Sequence, residues 1–123
     1  MFINISNHPS ANWTSGQLAS AQVYGKVVDL PFPSVDPDGD AAYIQAMCHE
    51  YLQKINDICS DAARLVSTVT VHIMGEMTFS FALINALQKL GATCVASTTE
   101  RITTEQDGRK TSEFRFVQFR KYG

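Results

Sequence analysis

The sequence lacks several features that would place it in a familiar class of protein. It has no apolar run of about 18 residues, which argues against a conventional membrane-spanning helix. Its three cysteines form no CxxC pair, so we expect small buried hydrophobic residues rather than a disulfide framework or a structural zinc site. The first 25 residues carry no charge but are broken by polar residues and a proline, so they do not resemble a signal peptide. We therefore expect a cytoplasmic protein that does not contact a membrane.

The sequence also lacks a strong excess of one charge sign. Its 123 residues include 10 Lys and Arg against 12 Asp and Glu, for a net charge of −2. A chain with this balance is not expected to bind duplex DNA. Residues 101–123 are the exception, with six basic and three acidic side chains. This segment fits either a surface that faces an anion or an edge strand kept soluble by its charges.

Motifs of well-known nucleotide and metal sites are missing as well. The chain has no GxGxxG after its first predicted strand, no GxxxxGK[ST] and no HExxH. Their absence argues against a nicotinamide site, a P-loop hydrolase and a catalytic zinc site. Alternating carboxylates at Asp36, Asp38 and Asp40 are best explained as a solvated loop that caps the next helix. We expect neither a metal nor a cofactor.

What the sequence does contain is an alternation of strands and helices. Runs rich in β-branched residues predict strands over 2–5, 27–30, 68–74 and 93–97. Apolar residues spaced by three and four predict helices over 15–24, 40–62 and 79–90. This order predicts an α/β fold in which residues 1–123 form one domain with a Rossmann-like, mainly parallel sheet and helices on both faces.

The C-terminal segment predicts an antiparallel β-hairpin that extends this sheet. Residues 102–106 and 110–122 flank Asp107-Gly108, which is a strong signal for a tight hairpin turn. Phe114 and Phe116 follow the period of two that a strand requires, whereas Phe119 does not. The change of phase predicts a bulge or a bend near Val117-Gln118.

Three predicted loops are expected to meet at one edge of the sheet. In open parallel sheets, ligands bind beyond the carboxyl ends of the strands, where the strand order reverses. Chain order predicts that the first and third strands are neighbours, so residues 7–10 and 75–78 should leave the sheet side by side, and residues 97–101 follow the fourth strand. The free amides at the start of the third helix, near Thr78, predict a cradle for an anion or a phosphate. A plain turn with a helix cap explains the same residues.

Single side chains in these loops each have two interpretations. His8 either exchanges protons near neutral pH or bonds a backbone carbonyl. Arg101 either binds a phosphate, which a guanidinium matches well, or pairs with a nearby glutamate. Glu76 is either a general base or a partner of backbone amides at the turn. His49 and His72 are interpreted as structural.

Three stretches together resemble a known family. They are SNHPS at 6–10, MGEMT at 74–78, and STTER at 97–101 running into FRFVQFRKY at 114–122. The chain resembles the small, single-domain CRISPR-associated proteins of the CARF class (CRISPR-associated Rossmann fold), a group that includes standalone ring nucleases. The closing STTER and FRFVQFRKY pattern is the most specific part of the resemblance.

The resemblance implies a homodimer that binds a cyclic oligoadenylate, most commonly the four-adenylate ring, across its two-fold axis. It also implies cleavage without a metal, in which a ribose 2′-hydroxyl attacks its own phosphodiester and leaves a 2′,3′-cyclic phosphate. Such an activity would switch off type III CRISPR signalling. A non-catalytic module that only holds the ring, or an unrelated small α/β metabolite-binding protein, are the alternatives.

The resemblance also implies roles for particular residues. His8 acts as general acid or base, Arg101 stabilises charge on the phosphate, and Glu76 orients a donor. The remaining candidates bind the ligand through backbone or hydroxyl groups; they are Asn7, Ser10, Gly75, Met77, Thr78, Thr98 and Thr99.

Overall fold

Strands and helices alternate along the chain, as the sequence predicts. A computed structural model describes residues 1–123. The five strands are β1 (Phe2–Ser6), β2 (Val27–Asp29), β3 (Thr70–Met74), β4 (Thr93–Gln106) and β5 (Arg109–Lys121). The three α-helices are α1 (Ser15–Gln22), α2 (Ala41–Asp61) and α3 (Met77–Lys89), with short 3-10 turns at Ser10–Asn12 and Val66–Thr68. None of these helices is long and apolar enough to cross a bilayer.

The strands form one mixed sheet with the order β2-β1-β3-β4-β5. β1 pairs in parallel with both β2 and β3, and β3 pairs in parallel with β4. β5 runs antiparallel to β4. The chain leaves β1 toward one side to form β2 and then crosses to the other side to form β3. The strand order therefore reverses between β1 and β3, which confirms that these two strands are neighbours.

One face of the sheet is covered by α2 and α3 and holds the main core. Ile3, Ile5, Val71 and Ile73 alternate along β1 and β3 onto this face, where they join a cluster of 15 buried residues. The buried stripe of α2 follows the predicted helical spacing and consists of Ile44, Cys48, Tyr51, Ile55 and Cys59. All three cysteines are buried and free, which confirms their interpretation as small core residues.

The opposite face is covered by α1 and is much smaller. Its apolar cluster contains Phe2, Ala21 and Val95, with Trp13 and Phe119 packed against them. The prediction of helices on both faces is therefore confirmed.

The predicted end of the fourth strand at residue 97 is wrong. β4 runs without interruption to Gln106, so residues 97–101 belong to a strand and do not form a loop. The segment contains no glycine or proline and is rich in threonine, which favours extended backbone, and β5 supplies a continuous hydrogen-bonded partner. β4 and β5 thus form one long two-stranded ribbon, which includes both the predicted fourth strand and the predicted hairpin.

The bulge and the turn of this ribbon are confirmed. Thr98 pairs with Gln118 and Thr99 pairs with Phe116, which leaves Val117 as the extra residue. The turn residues Asp107 and Gly108 both have positive φ, 54° and 74°, as a type I′ hairpin turn requires.

Candidate functional site

A cleft of about 790 Å³ opens where β1 and β3 end, and the middle of β4 and β5 forms its far wall. It lies at the point where the strand order reverses, which is the usual ligand position in open α/β sheets. We call it the β1/β3 cleft. Loops at this position are held by the sheet below them, so their side chains are presented from a rigid base.

Four predicted site residues line the β1/β3 cleft. Asn7 and His8 follow β1, Gly75 follows β3, and Thr99 extends from β4. Gly75 is favoured by a close approach, because a Cβ atom there would overlap the ring of Phe32. Tertiary structure therefore brings the three predicted segments together, although the third contributes a strand rather than a loop.

The other six predicted residues do not line this cleft. Thr98 lies on the opposite face of β4, where its Oγ1 donates to the Gln118 carbonyl over 3.2 Å. Ser10 donates its hydroxyl to Asp29 Oδ2 over 2.8 Å and fastens the loop to β2. Met77 and Thr78 each line a separate groove beside α3.

Glu76 caps its own helix. Its carboxylate accepts the backbone N–H of Phe79 at 2.7 Å, the backbone N–H of Thr78 at 3.0 Å and the Thr78 hydroxyl at 2.7 Å. These hydrogen bonds, that of the Phe79 amide first, lower the pKa of the Glu76 carboxyl. The amides that were expected to cradle a phosphate are therefore already occupied by a carboxylate, and the interpretation of Glu76 as a partner of turn amides describes the geometry.

Arg101 does not line the cleft, but it lies next to residues that do. It follows Thr99 by two residues on the same face of β4 and pairs across the ribbon with Phe114, which lines the cleft. Its guanidinium donates to the hydroxyl of Ser112 over 3.1 and 3.3 Å, and it forms no ion pair with Glu100 or Glu105. The charge of Arg101 is therefore not neutralised within the chain.

A buried network of polar side chains lies beneath the cleft. Asn4 Nδ2 donates to the His8 carbonyl at 3.0 Å and to Asp29 Oδ1 at 2.9 Å. Asn4 Oδ1 accepts the Ser6 hydroxyl at 2.8 Å and lies 2.8 Å from His72 Nδ1. Most buried polar groups in native proteins are hydrogen-bonded in this way. The network ties the loop after β1 to the central strands.

His72 forms part of the cleft lining although it is only 2% exposed. Burial lowers the pKa of its imidazole to about 4, and the nearby His8 contributes to the shift. His72 is therefore neutral at physiological pH. Its ring stacks on Phe2 at 6.0 Å and meets the edges of Phe119 and Trp13 at 5.2 and 5.9 Å.

Aromatic rings supply much of the remaining cleft wall. Trp13, Phe114 and Phe116 line it, and Phe114 is 66% exposed. The indole N–H of Trp13 donates to the His8 carbonyl at 3.0 Å, which fixes the ring beside the loop. Exposed rings next to hydroxyl and imidazole groups suit a ligand with a flat heterocycle and polar edges.

Sequence analysis missed His72 and these aromatic residues as parts of the site. One signal was available for His72: Asn4 and His72 are strongly polar residues inside predicted strands that are otherwise apolar or β-branched. The two residues lie opposite each other in the parallel register. The aromatic residues gave no such signal, because Phe114 and Phe116 also fit the apolar side of a hairpin.

The chain belongs to the family described as "Uncharacterized protein MJ1673 family", whose match covers residues 1–120. That range contains all three helices and the complete β1/β3 cleft. No curated protein and no solved structure matches the chain. The description of the family states no activity, so the function is inferred from the chemistry of the cleft.

Proposed function

We propose that the protein binds a cyclic oligoadenylate, in the first place cyclic tetra-adenylate, in the β1/β3 cleft of a homodimer and cleaves it as a ring nuclease. The observation that carries the proposal is the convergence of residues 7–8, Gly75, Ser97 and Thr99 in one cleft with three aromatic rings. Two of the three stretches that resemble CARF-class proteins contribute residues to this cleft where β1 and β3 end, and the third contributes to its far wall.

The cleft chemistry fits a nucleotide. Trp13, Phe114 and Phe116 offer ring faces on which bases can stack, each such contact contributing about 1–3 kcal/mol. Asn7 and Thr99 offer hydrogen bonds to ribose and base edges. A cleft of about 790 Å³ has the size that takes a drug-sized ligand, which corresponds to part of a four-nucleotide ring. Two copies related by a two-fold axis would each hold half of the ring.

Two guanidinium groups are available for phosphates, that of Arg115 in the cleft lining and that of Arg101 beside it. Arg101 donates only to a neutral hydroxyl. Arg115 lines the cleft and lies 4.0 Å from a Glu113 oxygen, but both side chains are more than 60% exposed. Ion pairs this exposed contribute little, so a phosphate competes readily for Arg115. The two guanidinium groups provide local positive charge for the ligand, although the chain as a whole carries a net charge of −2.

The proposed reaction is an internal transesterification. The 2′-oxygen forms a bond to the neighbouring phosphorus as its proton leaves, the bond from phosphorus to the 5′-oxygen breaks, and that oxygen takes up a proton. His8, exposed at the cleft, exchanges these protons, and Arg101 stabilises the charge that develops on the phosphate. The products are linear and carry a 2′,3′-cyclic phosphate.

The test is incubation with cyclic tetra-adenylate in EDTA, followed by chromatography. Linear products with a 2′,3′-cyclic phosphate are the expected result. Arg101→Ala should lower binding or turnover, and Arg109→Ala, at the hairpin tip and outside the cleft, serves as the matched control. Failure of every cyclic oligoadenylate to raise the melting temperature would overturn the proposal, since a ligand at a hundred times its Kd adds about 2.7 kcal/mol.

A non-catalytic binding module is the second candidate. It is favoured by the state of Glu76, whose carboxylate is fully engaged in capping α3 and lies outside the cleft lining. Recovery of the intact ring in complex with the protein would support this candidate over the nuclease.

A further inference from the structure

The hydrogen bonds around Asn4 determine which nitrogen of His72 carries the proton. The amide nitrogen of Asn4 must face the His8 carbonyl and Asp29, because both of these groups accept hydrogen bonds. Asn4 Oδ1 therefore faces His72 Nδ1, and an oxygen acceptor requires a donor, so Nδ1 carries the proton. The neutral ring leaves Nε2 with a free lone pair.

Nε2 of His72 has no partner. It is buried and forms no hydrogen bond within the protein. Leaving a buried acceptor unpaired destabilises the folded state, so native structures rarely retain one without a reason. The imidazole nevertheless belongs to the lining of the β1/β3 cleft. A fixed acceptor next to a ligand cleft is what a site for a hydrogen-bond donor requires.

The chemistry of this acceptor distinguishes between purine bases. A bare ring nitrogen accepts from the 6-amino group of adenine, whereas the 6-oxo group of guanine or hypoxanthine offers a second acceptor and leaves both unpaired. The surrounding rings of Phe2, Trp13 and Phe119 form an aromatic environment that suits a base rather than a phosphate. Resting on the proposed function, we infer that His72 is the residue that selects adenine, by accepting a hydrogen bond from its 6-amino group at Nε2.

Trp13 lies beside this histidine. It lines the cleft, is partly exposed, and stands edge-on to the imidazole with ring centres 5.9 Å apart. A base that binds next to His72 therefore also lies close to the indole. Because Trp13 is the only tryptophan in the chain, its fluorescence reports this event directly.

The first test uses the free wild-type protein. Imidazole ¹⁵N NMR at pH 7 should show a protonated Nδ1 and a bare Nε2 for His72. A protonated Nε2 would overturn the inference before any ligand is added. This measurement does not depend on the proposed function or on the folding of a variant.

The second test compares nucleotides that differ at the 6-position. Adenosine, inosine and purine riboside monophosphates are titrated while the His72 Nε2 resonance and Trp13 fluorescence are followed. Adenosine monophosphate should shift the resonance and bind roughly 10- to 100-fold more tightly than the other two, the range expected for one buried hydrogen bond. Equal affinities, or a preference that depends instead on the ribose 2′-hydroxyl in 2′-deoxyadenosine monophosphate, would overturn the inference.

The matched variant is His72→Asn. The amide of asparagine can replace the Nδ1 donor to Asn4 but offers nothing at the position of Nε2. It should fold and lose the preference for adenosine over inosine monophosphate. If the variant binds cyclic tetra-adenylate and still discriminates, the inference is wrong and the proposed function stands. If wild-type protein ignores cyclic oligoadenylates but discriminates the mononucleotides through His72, the proposed function fails and the inference stands.

Discussion

The two faces of the sheet differ in what their buried side chains can do. Ile3, Ile5, Val71 and Ile73 alternate onto the face beneath α2 and α3, where the neighbours are apolar. The positions between them carry different chemistry. Four of the five buried polar residues of the chain occur on β1 and β3 at these alternate positions, namely Asn4, Ser6, Thr70 and His72.

One strand can therefore stabilise the core with one set of side chains and supply polar groups for ligand recognition with the other. Successive side chains of a strand point to opposite faces, so a strand in the middle of the sheet contributes to two environments. The α2/α3 face is filled by side chains that bury apolar area and need no partner. The α1 face holds polar groups that need partners, and one of them, Nε2 of His72, has none.

The largest expected effect comes from the apolar face. Phe79 is fully buried and meets the rings of Phe32 and Tyr51 at 5.4 and 5.2 Å. Phe79→Ala should lower the free energy of unfolding by about 3–5 kcal/mol, measured by urea denaturation, because it leaves a cavity in the core. Nucleotide affinity of the folded fraction should be unchanged. A Phe79→Ala variant that keeps its stability but loses ligand affinity would contradict this division of roles between the two faces.

The second effect is a pH dependence that arises on the polar face. The pKa of His72 is about 4 in the folded protein against an ordinary 6.5, so the unfolded chain binds a proton more readily. Stability conferred by the neutral ring is therefore present above about pH 6.5 and is lost progressively as the pH falls toward 4.

The loss should reach about 3 kcal/mol near pH 4, since each pKa unit corresponds to about 1.36 kcal/mol. Urea denaturation of wild type and His72→Asn between pH 7 and pH 4 measures the difference, which cancels the contribution of other groups. Parallel pH profiles for the two proteins would show that His72 is not buried as a neutral ring.

The smallest effect uses two adjacent threonines that lie on opposite faces. Thr99 lines the cleft, whereas the Thr98 hydroxyl bonds the backbone of Gln118 beside the bulge. Thr99→Val should weaken cyclic tetra-adenylate binding roughly 3- to 10-fold, the value of one hydrogen bond. Thr98→Val should instead lower stability by about 1 kcal/mol and leave affinity unchanged. Titration calorimetry and thermal melting on both variants separate the outcomes, and equal losses of affinity would remove Thr99 from the site.

Most of the fold was predictable because its signals are local. Periodicity located α2, the Asp107-Gly108 pair located the turn, and the changed phase of Phe119 located the bulge. The error over residues 97–101 has a physical cause. A strand is extended by its partner, and the partner of this segment is β5, more than ten residues away along the chain. Local sequence holds no record of that pairing.

The site was less predictable for the same reason. Asn7, His8, Gly75 and Thr99 could be named, because the ends of neighbouring strands must lie close together. The sequence does not decide whether Glu76 is a general base or a partner of backbone amides, since both roles use the same turn. Which face Thr98 occupies, and that Trp13 and His72 border one cleft, depend on packing across elements that are distant in sequence.

The alternation of strands and helices, the pairing of β1 with β3 and the hairpin can all be inferred from the sequence alone. Each of them depends on periodicity, turn residues or connection rules. The polar network around Asn4, the tautomer of His72 and the capping of the α3 amides by Glu76 follow only from the folded structure. These depend on distances of about 3 Å between atoms of residues up to 68 positions apart, as between Asn4 and His72. Burial also keeps that histidine neutral well below pH 7, because loss of hydration disfavours the charged imidazolium and lowers its pKa to about 4.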